Sequence, residues 1–237
     1  MKTSRKTAVL VGALFLIATA SFFLGDDGLV APILGAEDYL VTVSENQSQV
    51  ILGVLIAFID GLAIVGISVL LLPLLKRYGE AMALGYVGFR ITEFAVILAY
   101  LIGGLMLITL SHEYVSAADH DATTFQSLGA LLRGLRYWSW QFILLFNGVA
   151  GLMVTYLFYR SRLIPRPISI LGIIGYAILF PGVLLHLFGV VDILSGIGFL
   201  VFIPGAIFEA GLPIWLFVKG FNQATPDATH TLESVGT

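Results

Sequence analysis

Arg90 and Glu93 stand three residues apart in "FRITEF", at the head of an apolar stretch that runs on to Leu110. At i and i+3 of a helix two such side chains share a face and can pair. Five more polar side chains fall inside comparable apolar runs: Asp60, Gln141, Asn147, His186 and Glu209. Carboxylates at depth take up and release protons or hold cations, an arginine fixes a carboxylate, and a histidine titrates near neutrality, so the chemistry on offer is binding, proton handling or acid–base catalysis. An ionisable group at mid-bilayer costs about 2.5–3.5 kcal/mol on insertion scales, so these groups are expected to turn inward and find partners. The three acids Asp60, Glu93 and Glu209 against the one arginine leave a formal charge of −2, to be met by bound protons, a charged His186 or a cation. Arg90, Glu93, Glu209 and Asp60, with His186 and Asn147, are therefore the candidate binding or proton-handling residues. The competing reading is a buried structural network, with His186, Gln141 and Asn147 acting as interhelical hydrogen-bonding groups.

The elements that must carry these residues are membrane helices. Of 237 residues 58% are hydrophobic and only 11% charged, against about 45–50% apolar and about 25% charged in soluble domains. Six stretches approach the roughly 20 apolar residues that a span requires: Ala8–Leu24, Val50–Leu75, Ala81–Leu110, Tyr137–Tyr159, Ile168–Val191 and Ile197–Val218. In lipid every backbone group must be satisfied within its own segment, and the runs do not alternate as barrel strands do. The expectation is an all-α integral membrane protein, a six-helix bundle forming one domain over residues 1–222, with a short disordered cytoplasmic tail at 223–237. The first run could also be a secretory signal peptide, since Lys2, Arg5 and Lys6 precede it and "ATA" ends it. It is read as an uncleaved anchor because "SFFLG" continues apolar.

Basic residues set the orientation. Nine of them (Lys2, Arg5, Lys6, Lys76, Arg77, Arg160, Arg162, Arg166 and Lys219) fall on one side and two, Arg133 and Arg136, on the other. By the positive-inside rule both termini are cytoplasmic, and the acids Asp26, Asp27, Glu37, Asp38, Glu45, Glu113, Asp119, Asp121 and Asp192 lie outside. The outer segment "SHEYVSAADHDATTF" carries His112, Glu113, Asp119, His120 and Asp121. Their spacing fits no rigid ligand set, so the segment reads as a solvated loop and no metal is assigned. The following "FQSLGALLRGLRYWSW" has an apolar stripe at helical spacing and ends in Trp138 and Trp140, as an interfacial helix would; the alternative is that the fourth span begins earlier. Pro181, Pro204 and Pro213 are expected to loosen the last two spans, Pro213 freeing the carbonyl of Glu209. Gly53, Ala57 and Gly61, four apart, read as a close-packing stripe.

A net charge of −3 argues against nucleic-acid binding, and with no cysteine there is neither a disulfide nor thiolate chemistry. No cofactor is assigned. Nucleophile elbow, His-Glu-x-x-His helix and phosphate loop are all missing from the sequence, which argues against an enzyme. The chain from about Lys6 to Gly220 resembles the bacterial multi-pass family catalogued as domain of unknown function 4386. The resemblance rests on a short first span, the acid at Asp60, "FRITE", "YLFYRSRLIPRP" and "EAGLPIWLFVKG". It implies a six-helix membrane fold and transfers no catalytic residue; "RYWSWQF" has no histidine at the start of the fourth span, which counts against a metal. The best functional reading is small-solute, ion or proton-linked transport or binding through the buried Arg/Glu/Asp set. The alternatives are an intramembrane enzyme using Glu209 or Glu93 with His186, and an accessory or sensory subunit. The partners expected are the lipid bilayer of the cell membrane and a small molecule, ion or proton; oligomeric state is left open.

Overall fold

The computed structural model describes residues 2–117 and 122–222. The expected tail at 223–237, and Asp119, His120 and Asp121 of the polar loop, lie outside these residues. Among the described residues there are eight α-helices: α1 (Lys2–Phe22), α2 (Ala31–Leu34), α3 (Tyr39–Glu45), α4 (Gln47–Leu75), α5 (Glu80–Ser116), α6 (Ala122–Ser161), α7 (Arg166–Leu187) and α8 (Ile203–Val218). A π-helical segment, Phe23–Val30, joins α1 to α2, and a 3₁₀ segment, Gly196–Phe202, leads into α8. With those two continuations, six helices among the described residues are long and apolar enough to cross a membrane: Arg5–Leu34, Gln47–Leu75, Glu80–Ser116, Ala122–Ser161, Arg166–Leu187 and Gly196–Val218. The fold is thus the expected six-helix membrane bundle.

Several boundaries differ from expectation. The first span does not stop at Leu24 but runs on to Leu34, because the wider turn at Phe23–Val30 carries Asp26 inward without breaking the helix. The interfacial helix expected before the fourth span is the opening of α6, one continuous helix from Ala122. Pro204 does not loosen a span; it sits in the first turn of α8, where a missing N–H costs nothing, whereas Pro181 and Pro213 are interior.

Neighbours in sequence pack antiparallel, and α1 closes against both α4 and α8, so the spans form a ring in the order α1, α4, α5, α6, α7, α8. The first apolar run is therefore a wall of the bundle. We call the end carrying the N-terminus of α1 and the C-terminus of α8 the terminal end, and its opposite the distal end. Small residues set the close approaches: a Cβ on Gly25 would lie 2.5 Å from the backbone of Gly53 and Ala57, and one on Gly175 would lie 2.6 Å from Gly205. Lipid offers no hydrophobic drive for helix association, so such backbone contact is where dispersion attraction is gained. The small-residue stripe of α4 is used on two neighbours, since Gly61 receives the ring of Phe94 from α5.

The turns have readable causes. Pro165 caps α7 and Pro167 fits its first turn, while Arg162 takes a left-handed backbone conformation to end α6. Gly189 and Gly220 close α7 and α8 at positive φ, the geometry that satisfies the last carbonyls of a helix. Asn222 then bonds back to Arg162 and Leu163, tying the end of the chain to the α6–α7 turn. α5 and α6, at 37 and 40 residues, are about 55–60 Å long and overrun the roughly 30 Å hydrocarbon layer. Their surplus lies at the distal end, where α3 packs on α5 and Ser111 donates to the carbonyl of Leu40.

Candidate functional site

Helix rise places the polar residues in depth. Counted from the terminal end of its own helix, each of Arg90, Glu93, Asp60, Asn147, Tyr176 and Glu209 lies about 14–22 Å in, at the middle of the bilayer. His186 lies about 30 Å in, at the distal boundary. Four of the six candidate residues are brought into one electrostatic unit. Asp60 of α4 feels Glu93, Arg90 and Glu209; Glu93 feels Arg90 and Glu209; Glu209 of α8 feels Arg90.

Within the unit the pairing is specific. Arg90 Nη1 donates to both oxygens of Glu93, at 2.8 and 3.1 Å, and the two residues are 5% and 3% exposed. The i,i+3 pair read from the sequence is thus formed. Glu209 does not take the arginine; its Oε1 accepts from the hydroxyl of Tyr176 on α7, at 2.8 Å. Gly151 of α6 makes room for that tyrosine, since a Cβ there would meet its ring at 2.4 Å. Tyr86, one turn before Arg90, puts its ring 5.6 Å from the guanidinium carbon. Its hydroxyl is near enough to Arg90 to interact with it, but Tyr86 Oη and Arg90 Nε make no bond of hydrogen-bond geometry with any described residue. Asn147 lies level with Arg90, as the contact of Phe89 with Phe146 fixes the α5–α6 register, and its Oδ1 is likewise buried and unpartnered among the described residues. Asp60 and Glu209 are partly buried.

A buried polar atom left unpaired costs about 1–3 kcal/mol. Tyr86 Oη and Arg90 Nε carry that cost beside an uneven set of charges. The tyrosines were not among the residues singled out from sequence; the signal that could have found them is a phenol at mid-span, which must seek a partner. Gln141 is buried on α6 with both amide atoms unpartnered among the described residues.

His186 stands apart from this cluster. Its Nε2 contacts the hydroxyl of Tyr137 at 3.1 Å, and Nδ1 lies 3.0 Å from the carbonyl of Val191 and 3.7 Å from Asp192. It shapes the α7–α8 connection rather than serving Glu209. Asp192 in that connection accepts from Ser195 Oγ and the Leu194 amide, which hold its carboxyl below the usual carboxylate range. Among the described residues no three histidines or acids converge as a metal ligand set.

Sequence reading also missed a second buried network. Asp26, placed by sequence among the outer acids, and Arg136, counted as a loop cation, are 3% and 7% exposed and bonded at 2.6 Å. The Asp26 carboxylate also accepts from the Tyr100 hydroxyl, Arg136 Nη1 donates to the Tyr100 carbonyl, and the guanidinium carbon lies 3.9 Å from the Tyr100 ring centre. Because Arg136 turns inward, Arg133 is the one exposed arginine of the pair, against the nine basic residues counted at the terminal end.

No curated protein and no solved structure matches the chain. Residues 10–220 match the family described as domain of unknown function (DUF4386). That span starts within the first membrane helix, takes in the other five and both buried networks, and the chain belongs to this family.

Proposed function

We propose that the Asp60, Arg90, Glu93 and Glu209 cluster binds and passes protons, in the service of transport or binding of a small solute or ion. The observation that carries this reading is the mismatch at mid-depth: three carboxylates from three helices share one arginine, beside buried Tyr86 Oη and Arg90 Nε atoms that make no bond of hydrogen-bond geometry with any described residue. A charge of −2 inside low-dielectric surroundings is met by positive charge from outside the protein. Among the described residues no three acids or histidines group as a metal ligand set, and a proton can meet each acid singly. The carbonyl of Glu209, released by Pro213, adds an acceptor in a loosened helix turn, as at transporter sites built on broken helices. In this reading the bundle sits in the cell membrane with both chain ends in the cytoplasm, an orientation supported by the crowding of basic residues at the terminal end.

Infrared difference spectroscopy between two pH values, on protein in lipid nanodiscs, tests the reading. A carboxyl carbonyl band that appears on acidification and is missing in Glu209→Gln or Asp60→Asn, with the protein still folded, supports it. A spectrum unchanged by both substitutions overturns it in favour of a static structural network.

A further inference from the structure

The Asp26–Arg136–Tyr100 network takes no part in the central cluster, and its position is specific. Counted from the terminal end, Asp26, Tyr100 and Arg136 lie about 30–38 Å along their helices, at the distal boundary of the hydrocarbon. They come from α1's π-helical extension, α5 and α6. α1 and α6 are not neighbours in the ring, so the ion pair reaches across its interior. The same crossing is made by Phe22 of α1 stacked on Trp140 of α6, ring centres 5.0 Å apart, with Trp140 against Tyr100. These five side chains form a layer between the distal end and the mid-depth cluster. On α5, Tyr100 stands two turns beyond Glu93, on the same face.

The layer is accommodated by the backbone around it. Gly104 and Gly103 admit the arginine: a Cβ at Gly104 would lie 2.9 Å from Arg136 Nη1, and one at Gly103 3.1 Å from its Cγ. Asp26 is carried by a π-helical turn, closed by the bond from the Ala31 amide to the Asp26 carbonyl. Such turns are rare and recur at functional sites. A buried ion pair is a poor way to gain stability, because an apolar pair of the same volume does as well or better. It is a good way to make a contact that is either whole or broken, since each partner alone is strongly unfavourable in place. We propose that Asp26, Arg136 and Tyr100 form the distal gate of the central cluster, closed while the ion pair is made and opened when it parts. The proposal rests on the cluster being the functional site.

The chain has no cysteine, so one introduced thiol reports alone. Ser139→Cys is a nearly isosteric reporter: Ser139 is buried on α6, one turn inside Arg136. Ser68→Cys, fully buried on α4 beyond Asp60, is the control for general loosening. In lipid nanodiscs, with a charged maleimide, both thiols are expected to be protected in the parent chain. Adding Asp26→Asn or Arg136→Gln should speed labelling at the Ser139→Cys reporter by about tenfold or more, since either change leaves one buried partner without its counter-charge. The Ser68→Cys control should stay protected. Unchanged labelling of the reporter overturns the gate, and equal labelling of both thiols overturns it too, showing that the pair is a structural staple. The pH-difference band of Glu209 is read on the same samples. Its absence alongside an opened reporter would overturn the functional reading and leave the barrier, while its presence with a closed reporter would overturn the gate alone.

Discussion

Arg90 and Glu93 offer the sharpest energetic test, because one guanidinium nitrogen reaches both carboxylate oxygens at short range and the pair is nearly sealed from the surroundings. Arg90→Met removes the cation and leaves Glu93 buried beside Asp60 and Glu209; Glu93→Leu leaves a guanidinium that cannot lose its proton. Breaking a buried pair from one side costs about 3–5 kcal/mol, whereas replacing both partners by apolar groups of similar volume is often neutral. If each single change costs about 3 kcal/mol and the double change about 1, the coupling in a double-mutant cycle is about 5 kcal/mol. Membranes blunt such numbers, because chains unfolded within lipid also find partners: interhelical hydrogen bonds there reach only about 1.7 kcal/mol. A coupling above about 2 kcal/mol therefore identifies an ion pair and not an ordinary hydrogen bond. The assay is reversible unfolding in mixed micelles with rising denaturing detergent, followed by helix content, for the parent, the two singles and the double. Additivity within about 0.5 kcal/mol would refute the reasoning. It would mean that Glu93 finds equal support elsewhere, or that Arg90 is held by the partly buried acids of α4 and α8.

Three further outcomes follow from the same geometry. Tags at either end should be found in the cytoplasm and His112 at the distal end of α5 outside; a cytoplasmic His112 would reverse the orientation. Gly151→Leu should drive the Tyr176 ring away from Glu209 and cost at least about 1–3 kcal/mol by overpacking, seen as a lower unfolding midpoint, while Gly134→Leu, where a Cβ meets nothing within 4 Å, should stay close to the parent. Ser195→Ala should let Asp192 titrate at higher pH, toward the ordinary carboxylate range, because the hydroxyl that favours its ionised form is gone; a carbon-detected NMR titration of that exposed carboxyl reads the shift directly.

The six spans were legible because lipid imposes length and apolarity on every crossing segment, and a pair at i,i+3 needs no tertiary information. The cross-helix partners were not legible. Nothing in the spacing of Glu209 says that it meets a tyrosine thirty-three residues earlier, since that depends on the tilt of α7 and on the space left by Gly151. Asp26 misled for a different reason. An Asp-Asp pair flanked by glycines has the composition of a loop, and only the π-helical turn lets the chain continue and bury one of the two acids. Arg136 misled in the same direction, because sequence counts a cation near a span's end as solvated, whereas Gly103 and Gly104 on the facing helix open a slot for it. His186 was drawn too deep because the apolar run was read through to Val191, while Gly189 ends the helix just beyond the histidine.

Ring closure gives the two networks different mechanical roles. Among the described residues, Arg90 bonds to a side chain on its own helix, so sliding α5 past its neighbours does not break that pair. Glu209 is held from α7 and Asp26 from α6, so those bonds change when α8 moves past α7 or α1 past α6. A motion that moves α1 and α8 together against α5, α6 and α7 would part Asp26 from Arg136 at the distal boundary and Glu209 from Tyr176 at mid-depth. Arg5 on α1 already bonds the carbonyls of Leu216 and Phe217 on α8, which ties those two helices at the terminal end. Such a motion runs along the α1–α4 and α7–α8 lines, and both are crossed by glycine contacts, Gly25 on Gly53 and Gly175 on Gly205, where smooth backbone surfaces meet. A bulky side chain at Gly175 should therefore uncouple access at the distal boundary from protonation at Glu209, whereas one at Gly134, which faces open space, should leave both intact.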